Sequence, residues 1–185
     1  MQHLLKAAIP FTAAIILSSC GESRSTANTT DTTNNHDHAA MEQNEVVANT
    51  KPVLKNDKLN AVYQHYIHLT TALTNGDIAE AKIAANAIEA GAKEVNGASA
   101  IVSSAAKITT GTDIGAQRKT YAALSNELIA LIKKEGMKSG ELYVDFCPMA
   151  LNDAGANWIS NHKEISNPYF GKKMLDCGEV KETIN

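Results

Sequence analysis

The sequence has no run of about 20 apolar residues, the length a helix needs to cross a hydrocarbon core of roughly 30 Å, so hydropathy argues against a permanent transmembrane helix. Neither charge is in excess: 17 basic against 20 acidic residues give a net charge of −3, and nothing in that balance invites nucleic acid. Cysteine is sparse, with three in 185 residues. There is no Cys-x-x-Cys for thiol–disulfide exchange, no Cys-x-x-Cys-His for haem attachment and no glycine-rich phosphate loop. Cys147 with His162 suggests a nucleophile and a base, yet no recognised local signature surrounds the cysteine, so the reading is of a non-enzyme.

What is present begins at the amino terminus. Lys6, the apolar stretch Ala7 to Leu17 and the small residues that follow have the order of a secretory signal. Leu17-Ser18-Ser19-Cys20 resembles the lipobox of bacterial lipoproteins, in which the cysteine thiol receives a diacylglycerol and the signal is cut just before it. Residues 1–19 are therefore expected to be the signal and Cys20 the lipidated residue, which anchors the chain to a membrane of the periplasm or cell envelope. Loss of Lys6 with the signal leaves the remainder near −4.

From Gly21 to about Asn56 the composition is Ser, Thr, Asn, Asp and Gln, too polar to offset its ordering entropy, so residues 20–56 read as a disordered tether. His36, His38 and Met41 lie close together in it, as in tracts that bind metal ions weakly. That leaves roughly 130 residues, 57–185, for one domain with its own core.

That domain opens with helical rhythm. Leu59, Val62, Tyr66, Leu69 and Leu73 step by 3, 4, 3 and 4 and fall on one face, ended by Asn75-Gly76. Asp77 and Glu80 have capping-box spacing for a second helix, with Ile78, Ala81, Ala85, Ile88, Ala92 and Val95 on its stripe and Asn96-Gly97 as its stop. Ala98 to Ile108 is expected as a third helix. Ile114, Gln117, Tyr121, Leu124, Leu128 and Leu131 mark a fourth, closed by Gly136. Four amphipathic segments with short connections predict a mainly α fold, an antiparallel four-helix bundle, followed by an irregular segment with a short strand and turn. His65 and His68, off the apolar stripe, are expected to face solvent.

After Gly140 the pattern changes. Glu141 to Met149 is aromatic and β-branched and reads as extended chain, in which Cys147 and Met149, two apart, point the same way. Met174 and Cys177, three apart, come together if Lys173 to Cys177 makes a helical turn. Two thiolates and two thioethers are a soft ligand set, suited to Cu(I) or Ag(I) rather than to Mg²⁺ or Ca²⁺. Zinc fits less well because it makes little use of thioether, and His162 is the nearby imidazole available to complete a site. A disulfide between Cys147 and Cys177, with the methionines as core filler, is the equal alternative, and closing about 30 residues would contribute on the order of 3 kcal/mol.

Cys147-Pro148-Met149-Ala150, Ala156-Asn157-Trp158-Ile159-Ser160, Ile165 to Gly171 with Asn167-Pro168-Tyr169-Phe170, and Met174-Leu175-Asp176-Cys177-Gly178 carry a family resemblance. Together with Tyr63, Tyr66, Ala72-Leu73 and Arg118, they resemble a bacterial domain family of unknown function. Its members occur as lone secreted proteins and as the carboxyl-terminal domain of some copper and silver efflux adaptor proteins. The resemblance covers about residues 57–184. It implies a soft-metal role for Cys147, Met149, Met174 and Cys177, with Trp158, Asn167 and Tyr169 shaping the pocket and Phe170 anchoring it. The long hairpin and β-rich portions of an adaptor are missing. The expectation is thus a copper-binding envelope lipoprotein, a carrier, buffer or accessory to a heavy-metal efflux system, the alternative being a disulfide-stabilised interaction domain.

Overall fold

A computed structural model describes residues 51–185. The signal, Cys20, His36, His38 and Met41 lie outside the described residues. Residues 51–56, assigned to the tether by composition, carry a strand, β1 (Val53–Leu54), in which Leu54 is fully buried.

Four helices follow: α1 (Asp57–Asn75), α2 (Ile78–Ala92), α3 (Ser99–Thr110) and α4 (Ile114–Glu135). Their starts and stops have local causes. Asn56 Oδ1 accepts from the Leu59 amide, Asp77 Oδ1 from Glu80 and Asp113 Oδ1 from Ala116, each satisfying a donor that the first turn leaves free. Gly76, at φ 75°, turns α1 out in the left-handed conformation glycine permits. The capping box of α2 is only half made, since the Glu80 carboxylate goes to His68 Nε2 and the Asp77 amide donates to the Ala72 carbonyl. Val95, expected on the α2 stripe, is buried but lies in the turn beyond the helix.

Each helix packs chiefly on its chain neighbours, α1 on α2, α2 on α3 and α3 on α4, with α4 also meeting α1 and α2. Ala81, Ala84, Ala85 and Ala92 keep the α2 face small, and Gly91 lies so near α1 that a Cβ there would stand 3.1 Å from Val62 Cγ2. Leu59, Leu69, Leu73, Ile88, Ile108, Leu124 and Leu128 are fully buried.

The segment after α4 holds more strand than the single one expected. β2 (Met137–Ser139) pairs antiparallel with β1, and β3 (Leu142–Cys147) is the centre of a three-stranded antiparallel sheet, flanked by β4 (Ala156–Ser160) and β5 (Glu179–Ile184). Asp145 faces Trp158 and Cys147 faces Ala156 in the β3–β4 register; on the other side, the pairing with β5 shifts between Val144 and Asp145. From Glu179 to Thr183, β5 is exposed.

A hydroxyl cluster joins the two parts. Tyr66 and Tyr121 stack with ring centroids 5.4 Å apart. Tyr121 Oη donates to Tyr66 Oη at 2.8 Å, Ser125 Oγ lies 2.8 Å from Tyr66 Oη, and Thr70 Oγ1 lies 2.7 Å from Tyr121 Oη. Tyr66 Oη also accepts from the Ile159 amide of β4 at 3.0 Å. These buried phenols thereby meet the requirement for partners that burial imposes.

Candidate functional site

β3 delivers Cys147 at its last residue, fully buried, and the loop covering the sheet returns Cys177 to it. The two Sγ atoms, 30 residues apart in sequence, are 2.8 Å apart, and both cysteines are free thiols. Cys177 is half-buried. The hydrogen bond with Cys147, then burial, then the nearby charges of Cys147 and Asp176 push its thiol up to about 11. At neutral pH Cys177 is held as a thiol, and a metal ion taken there must displace its proton.

Asn167 fixes the returning loop. It is fully buried, its Nδ2 donates to the Cys177 carbonyl at 2.6 Å, and its Oδ1 accepts from the amides of Tyr169 at 2.7 Å and Phe170 at 3.1 Å. Its own amide donates to the Leu175 carbonyl at 2.8 Å. Beside Cys177, Gly178 sits at φ 145°, and a Cβ there would stand 2.9 Å from Trp158 Cη2 and 3.0 Å from the Phe146 carbonyl oxygen. Trp158 meets Tyr169 edge-on, centroids 5.9 Å apart at 70°, and Tyr169 Oη donates to the Asn157 carbonyl at 2.6 Å. Burial first, then Tyr66 and Cys147 nearby, hold the Tyr169 phenol well above its usual range. Asn167 thus holds the backbone of Cys177, Trp158 lies against Gly178 next to it, and Tyr169 lies near Cys147.

The backbone around the two methionines differs from the regular elements the sequence suggested. Pro148 and Met149 form the turn out of β3, with Met149 at φ −83°, ψ −9°, so the extended chain that was to align Cys147 with Met149 ends at Cys147. Met149 is 46% exposed. The helical turn expected over Lys173 to Cys177 is replaced by a 3₁₀ turn at Gly171–Lys173 and a separate turn closed by the Cys177 amide on the Met174 carbonyl at 3.3 Å. Met174, half-buried, heads that second turn. His162 is exposed, its Nδ1 2.8 Å from Asn161 Oδ1. Among the described residues no third Cys, His, Asp or Glu gathers with the two thiols. His65 and His68 are exposed on α1.

One buried group near the site escaped the sequence reading. Asp145, two residues before Cys147, is fully buried, neither carboxylate oxygen has a hydrogen-bond partner among the described residues, and burial raises its pKa to about 7. Its signal was a lone acid inside the apolar run Leu142–Cys147, where a charge has no easy solvation.

Residues 62–140 match the model of a family described as a protein of unknown function (DUF3347). The match spans most of α1, all of α2 to α4 and β2, and stops before β3 and the thiols. No curated protein and no solved structure shows significant similarity to the chain. Among the described residues no helix is long and apolar enough to cross a membrane.

Proposed function

We propose that this chain is a non-enzymatic envelope lipoprotein that holds Cu(I) or Ag(I) between Cys147 and Cys177, as a carrier, buffer or accessory to a heavy-metal efflux system. The observation that carries this reading is the approach of two free thiols to 2.8 Å, one buried and one half-exposed. The donor set fits a soft monovalent ion: thiolates favour Cu(I), whereas structural zinc takes four nitrogen or sulfur ligands and Ca²⁺ or Mg²⁺ takes oxygen. Met174, at the head of the turn that carries Cys177, is the thioether assigned to the site; exposed Met149 and His162 are its weaker members. In this reading α1 to α4 form a four-helix bundle that serves as platform. Cys20 carries the lipid, and His36, His38 and Met41 capture metal loosely ahead of the thiols. Support for those amino-terminal parts is the sequence pattern alone.

The test is competition between a Cu(I) chelator and the mature full-length chain, wild type against Cys147→Ser/Cys177→Ser. The expected loss of affinity exceeds the roughly 10–100-fold that changes to outer-shell groups cause; equal affinities overturn the reading. The same closeness favours a second reading, a Cys147–Cys177 disulfide in an interaction domain of the envelope. Thiol counting on protein purified from the envelope separates them. If reductant lowers the melting temperature while Cu(I) leaves it unchanged, the disulfide reading holds, because a ligand of the native state must stabilise it.

A further inference from the structure

Trp158 is the one tryptophan of the chain, and burial leaves its polar atom over. The side chain is 1% exposed, with Tyr169 edge-on to it and Cη2 close to Gly178. Its Nε1 donates to no described residue, nor is it one of the sealed unpartnered atoms, which are Gln117 Oε1, Arg118 Nε and the two Asp145 oxygens. The little surface that Trp158 keeps therefore includes this N–H, a group that ordinarily finds an acceptor when a tryptophan is buried.

Trp158 lines a cleft of about 170 Å³ between the carboxyl-terminal half of α1 and residues 159–166. No Lys, Arg, Asp or Glu borders it among the described residues, so a charged ligand would lose hydration there without gaining an ion partner. Ile67 and Ile159 supply apolar surface. Thr71 Oγ1 and Thr74 Oγ1 donate into the helix, to the Ile67 carbonyl at 3.0 Å and the Thr70 carbonyl at 2.8 Å, so towards the cleft they can only accept. An N–H donor, two hydroxyl acceptors and an apolar patch thus line one small space.

We infer that this cleft binds the acetamido group of an N-acetylated amino sugar. Its carbonyl oxygen accepts from Trp158 Nε1, its N–H donates to a threonine hydroxyl, and its methyl lies on Ile67 and Ile159. A secondary amide is the neutral group that carries acceptor and donor together. A mid-chain peptide bond has the same pair, but its flanking residues need more room than this cleft offers, which is smaller than the roughly 300 Å³ of whole-ligand pockets. Exposed Asn75 and Asn161 and half-buried Ser166 complete the lining as uncharged partners for sugar hydroxyls. The inference makes no use of a metal or a disulfide at the thiol pair.

Because there is a single tryptophan, its indole N–H gives one NMR resonance that reports on the cleft directly. The full-length chain is titrated with N-acetylglucosamine, and in parallel with glucose, which lacks the acetamido group, and N-acetylalaninamide, which lacks the sugar. A saturable shift of the Trp158 resonance with N-acetylglucosamine is expected, at least about tenfold tighter than with either comparator, the scale of one hydrogen bond. Thr71→Tyr, at an exposed position of α1, puts a ring into the cleft and should weaken binding by at least about tenfold while the melting temperature stays that of the wild type. Absence of saturation, glucose or N-acetylalaninamide binding as tightly, or a folded Thr71→Tyr variant that binds like the wild type each overturns the inference.

Discussion

Between α1 and α4 the packing is done by Leu, Ile and Ala on continuous stripes, and each helix satisfies its own backbone apart from its caps. After Gly140 the means are different. One side chain, Asn167, accepts from two amides and donates to a third residue's carbonyl, and glycines at 155, 171 and 178 stand where a Cβ would collide with Phe146, with the Thr74 carbonyl oxygen and Arg118, or with Trp158. The helical part spreads its stability over many interchangeable contacts, whereas the sheet-and-turn part concentrates its geometry in a few irreplaceable atoms. A helical core position should therefore be measured in stability, and a position near the thiols in the chemistry of the thiols.

The largest effect is expected from Leu124→Ala, fully buried on α4. It should cost about 2–5 kcal/mol in urea unfolding followed by helix circular dichroism. A smaller loss, confined to the sheet signals, would show that α4 is not shared by both parts.

Asp145 gives the next largest change, through pH. Its folded pKa, about 7, lies above the unfolded value near 3.8, so the folded state holds the proton more tightly. The associated stability is fully present below about 4 and is lost as pH rises towards 7, with a slope of at most about 1.4 kcal/mol per pH unit. Asp145→Asn should flatten that part of the stability profile measured from pH 4 to 8; an unchanged slope would mean that water or another group solvates the carboxylate.

Asn167→Ala is the smallest and the most discriminating. Leaving the buried Tyr169 amide unpartnered should cost about 1–3 kcal/mol, while water can replace Asn167 at the part-buried Phe170 amide and Cys177 carbonyl. More tellingly, alkylation of Cys177 should accelerate while the helix signal stays native until the main transition. Thiol reactivity unchanged from wild type would mean that the loop holds without its clamp.

The same division explains what the sequence disclosed. Stripes repeating at 3 and 4 residues and capping residues such as Asn75-Gly76 and Asp77 are local, so all four helices were legible within a few residues of their ends. The strands were not. β3 is buried on both faces, β4 nearly so, and β5 is exposed over five of its six residues, so none shows the alternation by which a half-buried strand is recognised. The meeting of Cys147 with Cys177 was legible as a pair of chemically matched residues. The end of the extended chain before Met149 was not legible, because Pro148 constrains the residue before it but leaves the turn after it unspecified.

Position within the sheet gives β5 one more property. Among the described residues it pairs with β3 on one side only and so presents a free row of backbone donors and acceptors, the usual template for unwanted growth of a sheet by other molecules. Glu179, Lys181 and Glu182 stud that border with both signs of charge, and Lys133 ties Glu182 back to α4. An added strand would have to desolvate three charged side chains to dock there, so the element that follows Cys177 is guarded against aggregation.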